Sequence, residues 1–203
     1  MKKIILLLAT TTFLFGCTHQ GLVSSVSATN IYSGFDSKIL GGVTYTMDDT
    51  SLSILKNDDA VTGLQCAGHR FPVDGEDALK ISIPIMLRSI FENDPQKSSM
   101  PQKDTIHLVF RVEHFEPKLK FNPKFLSVDA DATVELGISA TGTLNGKRVF
   151  GSAVDGQRTK SGDAGAFCSG GADVLADATR ATIKDVLEKM GERLSNSQTL
   201  RSK

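Results

Sequence analysis

Residues 126–140 alternate without a break. Leu126, Val128, Ala130, Ala132, Val134, Leu136, Ile138 and Ala140 fall on one side, with Ser127, Asp129, Asp131, Thr133, Glu135, Gly137 and Ser139 on the other. Successive side chains of a strand point to opposite faces, so this run predicts a strand with one apolar and one hydrated face. Such a strand must bury its apolar face and pair its backbone groups, which commits the chain to a sheet. Asn145-Gly146 follows, the preferred pair for a type I′ turn, so residues 148–155 should return antiparallel. Upstream, residues 104–115 place Ile106, Leu108, Phe110 and Val112 on one face, and His107, Arg111 and Glu113 on the other. That is a second half-buried strand.

Helical periodicity flanks these strands. Leu175, Ile183, Val186, Met190 and Leu194 share a stripe at about 100° per residue. Asp173 and Asp177 near its start, and Lys189 and Arg193 near its end, suit the helix dipole. Lys184 with Glu188 and Asp185 with Lys189 are i,i+4 ion pairs on this helix. Residues 76–93 carry two periods: Leu79, Ile83, Met86, Leu87 and Ile90 recur at three and four, while Leu79, Ile81, Ile83 and Ile85 alternate. Pro84 costs about 3 kcal/mol inside a helix. The expectation is a helix over most of 76–93, kinked at Pro84 or starting there with Ser82 as its cap. Before it, residues 61–71 read as a strand carrying Cys66, and residues 43–55 as two short strands turning at Asp48-Asp49, a hairpin within 39–58. The order β-α-β-β-β-α predicts an α+β fold: a two-layer sandwich of a mostly antiparallel sheet with two helices on one face, spanning 59–196, with 197–203 a frayed tail.

The N-terminus carries a separate signal. Lys2 and Lys3 precede an uncharged run over residues 4–15. As a helix it would be about 18 Å long, against roughly 30 Å of bilayer hydrocarbon, so it fits a signal-peptide core rather than a span. No later run is long and uncharged enough to be a transmembrane helix. The run ends at Leu14-Phe15-Gly16-Cys17, which resembles the lipobox of bacterial lipoproteins. The resemblance implies that the Cys17 thiol receives a diacylglycerol, that residues 1–16 are removed, and that the new amino group is acylated. By the same family's sorting rule, Thr18, rather than an Asp, directs the protein to the outer membrane. One acyl chain anchors only marginally, at about 0.8 kcal/mol per buried CH₂, whereas three would hold permanently. Residues 17–38, rich in Ser, Thr, Gly and Asn, then read as the lipidated start of a flexible tether.

Without residues 1–16 the chain balances 21 basic against 23 acidic side chains, which does not suit a nucleic-acid binder. The absence of Trp leaves few sugar-stacking platforms. Cys66 and Cys168 remain. In an oxidising periplasm they read most simply as one disulfide, worth up to about 4.7 kcal/mol for a loop near 100 residues. Two free thiols, or a metal site built on Cys66 and His69 with Cys168, His107 or His114, stay open as alternatives. His107 and His114, seven apart on one strand, should face opposite sides.

No nucleophile elbow, H-E-x-x-H or P-loop is present, so no catalytic residue, cofactor or metal is expected. The Gly-rich stretch 162–171 reads as a turn into the last helix, with Ser169 as its cap. Residues 115–125 interleave Lys118, Lys120 and Lys124 with Phe115, Leu119, Phe121 and Phe125. Basic groups among apolar ones suit an anionic amphiphile, which makes Lys118, Lys120, Phe121, Lys124 and Phe125 the candidate ligand contacts; the same pattern fits a connection whose phenylalanines enter the core. Lipobox, tether and element order together loosely resemble the small outer-membrane assembly lipoproteins of the LptE and YajG type. That resemblance implies a non-catalytic envelope module with a protein partner. A carrier or sensor of a lipid or glycolipid is the alternative.

Overall fold

The computed structural model describes residues 17–28, 30–58, 60–62, 66, 68–125 and 127–202. The proposed signal segment 1–16 lies outside them, as do Leu126, Lys203 and most of the stretch around Cys66. The elements are β1 (Val43–Met47), α1 (Asp49–Leu52), β2 (Lys56–Asn57), β3 (Val61–Thr62), β4 (Val73–Asp74), α2 (Glu76–Ile90) and β5 (Gln96–Lys97). Then follow β6 (Ile106–Pro123), β7 (Val128–Leu144), β8 (Lys147–Asp163), α3 (Gly170–Ser195) and α4 (Gln198–Arg201). Single 3₁₀ turns stand at Ser53–Leu55 and Ala166–Cys168.

The fold is α+β, and its sheet is mixed. β6, β7 and β8 form the antiparallel meander read from the sequence, with Asn145 and Gly146 at positive φ in the β7–β8 turn. On the other edge of β6 the pairing is parallel, with β1 and further along β3, and β5 is parallel to β1. This corrects the mostly antiparallel sheet and the 39–58 hairpin. Asp48 does not turn a hairpin; it caps α1, its Oδ1 accepting from Thr50 N at 3.0 Å. The chain then crosses the sheet face through α2 before it returns, and a helical crossover delivers the next strand parallel to the first. β2 and β4 form a separate antiparallel pair, and the predicted strand 61–71 is reduced to β3, with Cys66 in a turn.

The apolar face of β7 is closed: Ala130, Ala132, Val134 and Leu136 are wholly buried. α2 and α3 cover this side. Leu79 and Ile83 of α2 meet Phe110, Val112 and Ile138. α3 approaches close enough that a Cβ on Gly156 of β8 would lie 2.7 Å from Val186 Cγ1. Thr182 Oγ1 reaches past Ala178 to donate to Val134 O at 3.2 Å. Asp185 of α3 is buried rather than exposed and is held between Arg158 and Lys189, the latter at 2.9 Å.

α2 runs unbroken through Pro84. Burial of Leu79, Ile83, Met86, Leu87 and Ile90, each worth about 1.5–3 kcal/mol, outweighs a proline cost of about 3 kcal/mol. Ser82 is no cap; its hydroxyl donates to Ala78 O at 2.6 Å.

β6 is longer than its sequence pattern suggested because it contains a bulge. Val112 pairs with Ile138 and His114 with Gly137, which leaves Glu113 as an extra residue. The extra residue switches the parity of the strand. Even positions face the core before it (Ile106, Leu108, Phe110, Val112), odd ones after it (Phe115, Leu119, Phe121). His107 and His114 therefore lie on the same side of the sheet, a correction to the reading from their spacing. Pro117 sits in β6 where the edge is open between β1 and β3. Leu119 N, two residues on, donates to Ala60 O at 2.7 Å across that edge, so Pro117 costs the sheet no ladder bond there.

The tether and the frayed tail are both corrected. Residues 17–38 run extended along α3 from its start to its end. Gly21 lies against Ala172, Val26 and Ala28 are buried, and Ile31 lies against Gly191. The backbone is tied down by side chains: Val26 N donates to Ser82 Oγ at 2.8 Å, Asn30 N to Glu188 Oε1 at 2.9 Å and Gly34 N to Asn196 Oδ1 at 2.7 Å. At the other terminus Leu200 is buried and the Arg201 guanidinium stacks 4.1 Å over Phe35.

Candidate functional site

The strap starts at Cys17, whose position is fixed by the body. Arg70 N donates to Cys17 O at 2.9 Å, and His19 N donates to Arg70 O at 2.8 Å, a short parallel bridge. The His19 and His69 rings stack with centroids 5.0 Å apart and share a hydrogen bond of 2.8 Å between Nε2 and Nδ1. His19 also stacks on Phe71, which tilts against Phe121 from β6 at 5.2 Å. Backbone bonds and a ring stack thus hold the first residues after Cys17 against the far end of β6. The Cys17 thiol itself is free and exposed.

Cys66 and Cys168 form a disulfide with Cα atoms 6.3 Å apart, so neither is a thiolate ligand. The bridge joins the turn preceding His69 to the turn that opens α3. That turn is tightly wound: Gly165 takes φ 65°, and Phe167 and Cys168 take φ 60° and 64°. Ser169 occupies the N-cap position of α3.

The basic-aromatic stretch 115–125 is divided. Phe115, Leu119 and Phe121 belong to the core, so Phe121 is removed from the candidate ligand contacts. Lys118 and Lys120 stand on the open face of β6 among carboxylates. Lys118 pairs with Glu116 at 3.2 Å, and Lys120 lies opposite Asp131 of β7. Lys124 pairs with Asp129, whose proximity raises the lysine's pKa, and Phe125 is 98% exposed in the β6–β7 turn. The stretch therefore makes no single pocket for an amphiphile. The apolar cavity between Leu79, Ile83 and Phe110 has a volume of only about 10 Å³, the space of one water.

The open face of the sheet is polar and knitted across its strands. Thr133 and Thr159 hydroxyls bond at 2.9 Å, and Gln157 Nε2 donates to Glu135 Oε1 at 2.8 Å. The His114 ring lies over Gly137, 3.9 Å from Asp155. His107 is different: it is buried on this side of the sheet, with Nδ1 2.9 Å from Thr44 Oγ1, and burial lowers its pKa. Among the described residues no group of His, Cys, Asp and Glu is arranged to hold a metal.

The largest cleft, about 690 Å³, lies at the opposite end of α3 from Cys17, between Asp155 of β8 and Lys189, Glu192, Arg193 and Asn196. β8 is an edge strand of the sheet. Two of its carbonyls are occupied, Val149 O by Thr199 Oγ1 at 2.6 Å and Asp155 O by Lys189 Nζ at 2.7 Å. No spacing rule pointed to this cleft, because it is assembled from a strand edge and the last turns of a helix. Among the described residues no helix is long and apolar enough to cross a membrane.

No protein-family model matches the chain, and no curated protein matches it. Solved structures do show similarity. A minor lipoprotein of Acinetobacter baumannii is 12% identical at a TM-score of 0.43, over 78% of this chain and 92% of that one. A Xanthomonas campestris protein of the DUF330 family is 12% identical at 0.39, over 92% of each chain. A lipoprotein candidate of Caulobacter crescentus is 10% identical at 0.37, over 66% of this chain and 84% of that one.

Proposed function

We propose that this chain is a lipid-anchored, non-catalytic interaction module of the bacterial cell envelope, held on the periplasmic side of the outer membrane. The observation that carries the reading is Cys17. It follows the apolar segment directly, its thiol is free and exposed, and its carbonyl is already bonded to Arg70. Acylating that thiol asks nothing of the body. The anchor sits at one end of α3, and the cleft beside β8 opens at the other, turned away from the bilayer. An edge strand with a polar cleft beside it suits a protein partner that adds main-chain hydrogen bonds. An assembly role of the LptE or YajG kind is the form this reading takes.

Two measurements test it. Mass spectrometry of protein purified from envelope membranes should find residues 1–16 removed and acyl groups on Cys17, and Cys17→Ser protein should leave the membrane fraction. Cysteine cross-linking from Ala153 or Gln157 on the β8 edge should trap a specific envelope protein. Unacylated wild-type protein, with the Cys17→Ser form equally membrane-bound, would overturn the anchor. A β8 edge that traps nothing above background would overturn the interaction role.

A further inference from the structure

The end of the molecule that carries Cys17 also carries its most exposed phenylalanines. Phe125 is 98% exposed at the tip of the β6–β7 turn, and Phe167 is 82% exposed in the turn before α3. The two turns are side by side: Lys124 N donates to Ser127 O and Ala164 N to Val128 O, both at 2.7 Å. The Cys66–Cys168 bridge fastens the second turn to the segment whose Arg70 holds Cys17. Leu22, five residues after Cys17, is 92% exposed.

From this juxtaposition we infer that the Cys17 end is a membrane-docking face, on which Phe125 and Phe167 enter the interfacial region of the bilayer. The inference deepens the lipid-anchor reading and rests on it for the attachment point. A free tether over residues 18–38 could extend on the order of 70 Å and leave the body remote from lipid. The structure removes that slack, because the strap is folded back along α3 and Cys17 is pinned at Arg70. Whatever apolar group Cys17 carries, acyl chains or the uncleaved run of residues 4–15, the bilayer begins at this end.

The backbone supports a presented rather than an accidental aromatic. A bulky residue at φ 60° is sterically disfavoured, and such outliers persist where the surroundings over-determine them. Here the disulfide and the start of α3 fix Phe167 outward. Arg70 and Lys124, exposed at the same end, suit the phosphates of lipid headgroups.

The natural chain has no tryptophan, so Phe125→Trp and Phe167→Trp are single reporters on exposed sites that do not disturb the core. Each variant is purified from membranes and reconstituted into phosphatidylethanolamine–phosphatidylglycerol liposomes, with or without acyl chains brominated near the headgroup. Lys103→Trp, beside the β7–β8 turn at the opposite end, is the control. Both phenylalanine-site reporters should shift to the blue and lose roughly half their emission to the brominated lipid, as interfacial burial requires, while the control does neither. If mass spectrometry finds no acyl group on Cys17, the anchor reading fails by itself. The same variants are then coupled through the Cys17 thiol to a maleimide lipid, and the docking face is still tested. Reporters that behave like Lys103→Trp on anchored protein overturn the inference. So does a blue shift that grows with protein concentration without lipid, which would assign the patch to a second copy of the chain.

Discussion

Removing the Cys66–Cys168 bridge should cost less than its span suggests. The cysteines are 102 positions apart, and the loop-closure model gives about 4.7 kcal/mol for a loop near 100 residues. Three residues around the bridge oppose that gain. Cys66, Phe167 and Cys168 take φ 57°, 60° and 64°, the left-handed region, without being glycine. Each such residue costs about 1 kcal/mol or slightly more. Without the bridge these turns relax and recover about 3 kcal/mol, so the expected net loss is about 2 kcal/mol rather than nearly 5. The assay is urea unfolding of the oxidised protein against Cys66→Ala/Cys168→Ala, with slopes fitted separately because an uncrosslinked unfolded chain exposes more surface. Phe167→Gly in the oxidised protein isolates the opposing effect and should gain about 0.5–1 kcal/mol, since glycine adopts positive φ without a steric penalty. A loss above about 4 kcal/mol together with no gain from Phe167→Gly would refute the strain reasoning. A loss below about 0.5 kcal/mol would refute the loop-closure reasoning.

Three further outcomes are expected. Gly156→Ala should destabilise by about 1–3 kcal/mol in the same assay, because the new Cβ would lie 2.6 Å from Asp185 Oδ2 and 2.7 Å from Val186 Cγ1; a neutral result would mean α3 does not seat there. His107, whose pKa burial lowers below its ordinary 6.5, contributes stability that is fully present above that value. This is lost as pH falls toward the folded-state value, since the unfolded chain takes up the proton first, at up to about 1.4 kcal/mol per pH unit. His107→Gln should flatten that part of the stability–pH curve, and an unchanged slope would deny the histidine its role. Gly21→Val places a Cβ 2.2 Å from the Ala172 carbonyl oxygen, against backbone that cannot yield; hydrogen exchange should then lose protection at Val26, Asn30 and Gly34 but not in α3, and equal protection would return the strap to the status of a tether.

The elements legible in the sequence are those whose apolar groups recur at a fixed period. β7, the first half of β6, α3 and most of α2 each bury side chains at intervals of two or of three and four, and burial is what a pattern of residue types records. What was not legible depends on backbone groups. The strap 17–38 is held by amides of Val26, Asn30 and Gly34 donating to side chains of α2, of α3 and of Asn196 just beyond it, bonds that leave no periodicity in a Ser- and Gly-rich stretch. β1 was misread because an Asp pair serves a turn and a helix cap equally well, and only the later crossover decides between them. The bulge at Glu113 is the most instructive case, since one unpaired residue reverses every inside–outside assignment that follows. Past it, the Lys–Phe alternation of 115–121 is the same half-buried strand in opposite phase. The candidate binding stretch therefore dissolves into a core residue, Phe121, two lysines on a carboxylate-rich face and one aromatic, Phe125, left over at the tip of the turn. That remainder acquires meaning only when the disulfide, the 164–168 turn and the pinned Cys17 are seen to share its end of the molecule, a juxtaposition of four segments far apart in the chain.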